Sequence, residues 1–325
     1  MSTSTHSQIQ RFQGSSGNAV KAVSYVMNTI DEDAEIQGPL DEMKAVLREH
    51  STVANDSLRV GKECSLTIDG ICFLITSRSG NKQYTGDETR AYIADVHQRM
   101  ETAEKDVKAV TEAARKNFIK FVNARRRLIR TNKAVSLRKQ CKINEKKDIE
   151  SNASNMRDLG NGISDTIHQC SGTLLKGEKP IVANPLWIIV AIALVNGATL
   201  LWTNYKAKEA KAKEAEISHD SQLMDRCEGI IDHFQAFETY MQRFVDCWVE
   251  LKSEWEKATG IPESLLQNPN DSLVRMKMDQ FHNKVKEIDE FLRAYIHSME
   301  AIVATLLEML PSPETGNPAA LSQTE

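Results

Sequence analysis

The chain has 325 residues, of which 41% are hydrophobic and 26% charged, with a formal net charge of -4. That length accommodates one elongated or two compact domains, and the composition is ordinary for a folded protein, which excludes a wholly disordered chain. The six cysteines form no CxxC pair and the eight histidines no HxxxH or HExxH spacing, so no metal site, cofactor or catalytic centre is expected and an enzyme is not.

The first residues, MSTSTHSQIQRFQGSSGN, are polar and lack an apolar run, so residues 1–18 read as a disordered tail without a secretory signal. This places synthesis in the cytosol and makes any release unconventional. Val20, Val23, Met27 and Ile30 then recur at helical spacing and mark a short amphipathic helix. Gly38 and Pro39 punctuate the chain. A helix is expected from about Pro39 to Thr76, with Leu40, Met43, Leu47, Cys64, Ile68, Ile71 and Ile75 inward.

After a loop at 78–86, with Asp87 suited to cap, a long helical pattern begins at Ile93 and runs through Val96, Met100, Ala103, Val107 and Val110. Phe118, Phe121 and Leu128 extend it, and Ile149, Met156, Leu159, Ile163 and Ile167 carry it onward past Gly160 and Gly162, which mark a possible kink. Residues 115–148 hold 13 Lys or Arg and 2 Asp or Glu. The readings for this run, in order, are a solvated face neutralised by acidic helices, a surface for anionic lipid, and a nucleic-acid surface. No aromatic interleaving supports the last, and no nucleic-acid partner is expected.

Between Lys179 and Lys206 there is no charged residue. Eleven large apolar side chains fall within Leu186–Trp202: Leu186, Trp187, Ile188, Ile189, Val190, Ile192, Leu194, Val195, Leu200, Leu201 and Trp202. Leaving them wet would cost on the order of 15–30 kcal/mol, more than the net stability of a typical domain. Protein, a second copy or lipid must cover them. Trp187, Trp202 and Tyr205 bracket the run as interfacial aromatics do, and Lys206, Lys208, Lys211 and Lys213 follow directly. Asn196-Gly197 favours a tight turn, so a spanning helix, a helical hairpin and a β-hairpin all remain open.

Past this segment, Leu223, Cys227, Ile230, Phe234, Phe237, Met241, Phe244, Trp248, Leu251 and Trp255 alternate by four and three. A loop is expected around Gly260-Ile261-Pro262 and Asn268-Pro269-Asn270. Val274, Met278, Phe281, Val285, Ile288, Leu292, Tyr295, Met299, Ile302, Leu306 and Met309 then repeat the alternation. Such runs specify helices packed with coiled-coil geometry, and their aromatic seam points to a multi-helix bundle. Lys and Arg outnumber Asp and Glu 28 to 23 over residues 1–179 and fall short of them 12 to 22 over residues 207–325. Opposite signs favour folding the two halves side by side. The tail 311–325 reads as disordered.

The expected fold is all-α: an elongated bundle of long coiled-coil-like helices, with arms at 19–179 and 206–310 flanking a hydrophobic tongue or hairpin at 180–205. A charge-free stretch held between long heptad arms resembles the alpha-helical pore-forming toxins of the cytolysin A and haemolysin BL type. The resemblance is architectural and covers roughly residues 20–310. It implies a soluble bundle whose tongue, Leu186–Trp202 with Asn196 and Gly197, is tucked away until protomers or related partner chains assemble on a lipid bilayer. It also implies that the helix bearing Val20, Val23, Met27 and Ile30 inserts and lines the pore. The competing expectation is a single-pass membrane protein with arms on opposite sides, acting as a tether.

Overall fold

The computed structural model describes residues 3–29, 33–79, 87–174, 185–267 and 271–309. They form five helices: α1 Thr3–Asn28, α2 Ala34–Ser79, α3 Asp87–Leu174, α4 Pro185–Gln267 and α5 Asp271–Met309. Among the described residues there is no strand, and the fold is all-α.

Several boundaries depart from the sequence reading. Residues 3–18 are helical rather than disordered, and the buried stripe of α1 begins at Phe12, ahead of the expected Val20. Its described buried side chains are Phe12, Ser15, Ala19, Ala22 and Val26, spaced by three and four, together with Val23. Asp33 starts α2, its Oδ1 accepting a hydrogen bond from the backbone N–H of Glu35 at 3.0 Å. The helix therefore begins before Gly38-Pro39, and Pro39 sits inside it. Likewise α4 runs through Gly260-Ile261-Pro262 to Gln267. Of the loop expected at 78–86, residues 78 and 79 belong to α2; the rest of it, 268–270, the tail 311–325 and Ile30 lie outside the described residues.

The chain divides into two compact units. The first comprises Met1–Ile129 and Gly229–Glu325. Here the heptad seams read from the sequence close into one core: every apolar position named above for α2, for α3 from Ile93 to Val110, and for α4 from Leu223 to Trp255 is buried where it falls in this unit, and so are the α5 positions from Met278 to Leu306. The aromatic side chains Phe12, Phe121, Phe234, Phe237, Tyr240, Phe244, Trp248, Trp255, Phe281 and Tyr295 fill it. α2 and α5 are antiparallel neighbours, with Lys62 on Glu300 at 2.7 Å and Arg293 on Asp69 at 2.7 Å.

A buried polar layer crosses that core, which the apolar periodicity did not reveal. His50 Nδ1 lies 3.1 Å from Asn117 Oδ1 and His50 Nε2 3.4 Å from Tyr240 Oη. Trp248 Nε1 donates to Tyr295 Oη at 2.9 Å, and Ser57 Oγ is 2.7 Å from the same hydroxyl. Buried polar groups in a helical core tend to fix register, because any slip strands them unpaired.

The second unit, Arg130–Glu228, is the distal half of α3 paired with the proximal part of α4. Its described buried apolar side chains are only Val135, Ala210, Leu223 and Cys227. Ion pairs join the helices instead. Arg138 meets Asp220 at 2.8 Å, Lys142 meets Asp220 at 3.0 Å and Glu216 at 3.4 Å, Lys213 meets Glu145 at 3.0 Å, and Lys146 meets Glu214 at 3.4 Å. Residue numbers rise along α3 as they fall along α4, so the pair is antiparallel. Within the basic run of α3, Arg138, Lys142 and Lys146 thus pair with acids of α4, in the direction the charge asymmetry suggested; in the first unit Arg125 pairs with Glu238 of α4, and Lys120 and Arg127 with Glu49 and Glu42 of α2.

Candidate membrane-insertion site

The hydrophobic segment enters α4 as plain helix. Its backbone is helical from Pro185 onward and passes through Asn196 and Gly197 without a break, so neither a β-hairpin nor a helical hairpin turning at this pair is formed. A glycine in a helix interior costs only about 1 kcal/mol relative to alanine, which the surrounding helix-forming residues offset.

One close contact sets the register of the segment against α3. A Cβ added to Gly160 would lie 2.6 Å from Oγ1 of Thr199 and 2.9 Å from its methyl. Gly160 is buried, and the lack of a side chain there lets the two helices approach. The spot expected to kink α3 is therefore a packing notch in a continuous helix.

Among the described side chains of the segment, only one face is covered by that approach. Ile192, Val195 and Thr199 are half-buried, whereas Leu194, Leu200 and Leu201 are 68%, 63% and 72% exposed. Val190, Trp202 and Tyr205 are exposed too, and so are Met156, Leu159 and Ile163 on the facing stretch of α3. Contiguous exposed apolar groups of this kind mark a protein or membrane contact. Over the described side chains the two helices leave each other's outer faces open. Met156, Leu159 and Ile163 do not continue the buried seam of α3. Leu186, Trp187, Ile188 and Ile189 are helical in backbone, but their side chains lie outside the described set. Among the described residues no helix is long and apolar enough to cross a membrane.

Below the segment, Trp202 and Tyr205 sit together at 6.5 Å between ring centroids. Lys206 Nζ lies over both rings, at 5.3 and 5.7 Å. An aromatic pair ending in an ammonium is the side-chain order of a membrane–water boundary.

The candidate inserting helix is placed elsewhere. Of its four named residues, Val23 is buried, Val20 and Met27 are half-buried, and Ile30 is outside the described residues. α1 is held in the first unit by Phe12, whose ring stacks on Tyr240 at 5.5 Å and Tyr295 at 5.9 Å, and by Tyr25 stacked on His233 at 3.9 Å. Sequence reading missed Phe12 because it fell in a Ser/Gln/Gly-rich stretch. The three-four spacing from Phe12 to Val26 was the available signal.

Comparison with known proteins adds to this. No family model matches the chain, and no curated protein matches it in sequence. Solved structures do match. The SmhB pore of the tripartite alpha-pore forming toxin Smh from Serratia marcescens aligns over 91% of this chain and 98% of its own, with a TM-score of 0.59 at 10% identity. The pre-pore AhlB of the tripartite toxin AHL from Aeromonas hydrophila aligns over 93% and 99%, with a TM-score of 0.51 at 10% identity. Soluble AhlC of the same toxin aligns over 87% and 97%, with a TM-score of 0.51 at 14% identity. The chain shares their fold. The resemblance to alpha-helical pore-forming toxins seen in the sequence therefore holds at the level of architecture. A single-pass tether fits this architecture poorly, because the ion pairs of the second unit hold the chain before and after the hydrophobic segment side by side.

Proposed function

We propose that the chain is a membrane-inserting, pore-forming protein that assembles on a lipid bilayer with further copies of itself or with related partner chains. One observation carries this reading: a helix with Leu194, Leu200 and Leu201 mostly exposed, packed on α3 at Thr199, and ended by an aromatic-cationic boundary. Lipid covers such a surface at no desolvation cost, and removing these groups from water contributes roughly 1.5–3 kcal/mol each. The inserting element is Leu186–Trp202, with α3 from Leu159 onward as its less apolar partner. The shared fold supports the reading, since solved members of that fold are described as a pore, a pre-pore and a soluble component of tripartite toxins.

In this reading α1 acts as a strap on the first unit. Its insertion, expected from Val20, Val23, Met27 and Ile30, requires Phe12 to leave its aromatic seat. The protein acts at target membranes after release from the cell that makes it. Dye release from phospholipid vesicles tests the proposal. Leakage at micromolar protein, abolished by deleting residues 186–202, is the expected result; intact vesicles at that concentration would sink it.

A further inference from the structure

Beside the aromatic boundary, α3 and α4 enclose a groove of about 360 Å³ within the second unit. Ala153, Ala207 and Ala210 line it with small side chains, and Lys146, Arg157, Lys206 and Lys211 supply four cations. Two acids also line it, Glu150 and Glu214, and both are taken up by Lys146, at 3.7 and 3.4 Å. Lys206 is paired with Glu209 at 2.8 Å. Arg157 and Lys211 are exposed and have no carboxylate partner among the described residues.

The height of the groove is fixed by the close contact above it. Gly160 faces Thr199, and the helices are antiparallel, so Arg157 is level with Trp202. Lys206 is one helical turn, about 6 Å, farther from the apolar band. That distance matches the headgroup layer beside the hydrocarbon, which is several ångströms deep on each side. A bilayer that takes up Leu194–Trp202 therefore presents its phosphates to Arg157 and Lys206. Guanidinium and ammonium groups in a small-residue groove suit a phosphate anion: the guanidinium offers a planar pair of N–H donors and the lysines add point charge.

We infer that this groove binds the phosphate of an anionic phospholipid headgroup and selects the membranes on which the segment inserts. The inference rests on the membrane-inserting reading. The surplus of positive charge, continuity with the exposed apolar band, and alignment of Arg157 with the interfacial Trp202 assign the ligand to a lipid.

Flotation with vesicles of phosphatidylcholine alone, and of phosphatidylcholine with about a third phosphatidylglycerol, tests it, with dye release measured in parallel. The full chain binds the anionic vesicles more tightly. Arg157→Gln with Lys211→Gln lowers that preference on the order of thirtyfold, two cations near an anionic surface being worth about that much. The variant still binds and permeabilises neutral vesicles. Arg157→Lys keeps part of the preference, and circular dichroism checks that each variant is folded. The charge-matched pair Lys116→Gln with Arg126→Gln, on exposed positions of α3 in the first unit, leaves the preference in place.

Equal binding to both vesicles by the full chain overturns the groove while leakage keeps the pore-forming reading. An equal loss in the Lys116/Arg126 variant also overturns it, by reassigning the effect to overall charge. Release from vesicles by inorganic phosphate at constant ionic strength overturns it in favour of a free anion. Neither binding nor leakage on either vesicle removes both readings together.

Discussion

Gly160 and Thr199 lie so close that no side chain larger than hydrogen fits at residue 160 without displacing the side chain of Thr199. This one contact sets the register of the hydrophobic segment against α3. Gly160→Ala should push the helices apart, with an overpacking cost of about 1–3 kcal/mol confined to the second unit. Thr199→Ala in the same chain should recover most of that loss. Thermal unfolding of the two single variants and the double variant measures the coupling; independent effects would show that the helices do not meet here.

Exposed apolar residues of α4 separate folding from insertion. Leu194→Glu and Leu201→Glu replace side chains that are 68% and 72% exposed, so helical content and stability should stay within about 0.5 kcal/mol of the parent. In hydrocarbon each such carboxylate costs roughly 2.5–3.5 kcal/mol. Vesicle leakage should therefore fall at least tenfold in each variant. A stability loss equal to the activity loss would mean that these residues serve the fold.

Asp220 ties the two helices of the second unit at the other end. Its side chain is buried, and burial alone would raise its pKa. The hydrogen bonds from Arg138 and the ion pair with Lys142 outweigh that and hold the carboxyl below its ordinary value. The contribution is thus complete above the ordinary carboxylate range and fades as acidification protonates the group. Asp220→Asn should remove about 1.5–3 kcal/mol at neutral pH, and less in acid. Urea melts at pH 7 and pH 3 give the comparison.

His50 makes the first unit sensitive to acid at a higher pH. Burial pushes its pKa down to about 4, against a smaller opposing effect of the hydrogen bond with Asn117. Asn117, Tyr240 and the rings of Phe237 and Phe244 face it, and none carries a charge near neutrality. The unfolded chain takes up this proton near pH 6.5 while the folded chain resists until about 4. Stability from this group is therefore complete above 6.5 and is lost progressively on the way down to 4, by about 3 kcal/mol in all. His50→Gln should flatten the stability profile between those values in chemical denaturation.

Phe12 tests whether α1 is a docked element. Phe12→Ala empties a seat between Tyr240, Phe244 and Tyr295, and should cost about 3–5 kcal/mol of α1 docking. Limited trypsin digestion at Arg11 and Lys21 should accelerate while the remaining helices stay protected.

The amino-acid sequence alone determined the all-α class, the buried seams of α2, α4 and α5, and the existence of an uncharged apolar run, because heptad spacing is a local property of the chain. It also carried the attraction between basic α3 and acidic α4. It could not say whether Met156, Leu159 and Ile163 would be buried like Val107 and Val110, since identical spacing serves a five-helix core and an open two-helix pair. That depends on how many neighbours pack around each stretch. Only the tertiary structure supplied that number, together with the seat for Phe12, the polar layer at His50 and the glycine notch that holds Thr199. Burial is a property of the assembled neighbours, and a one-dimensional pattern records which face is apolar without recording what covers it.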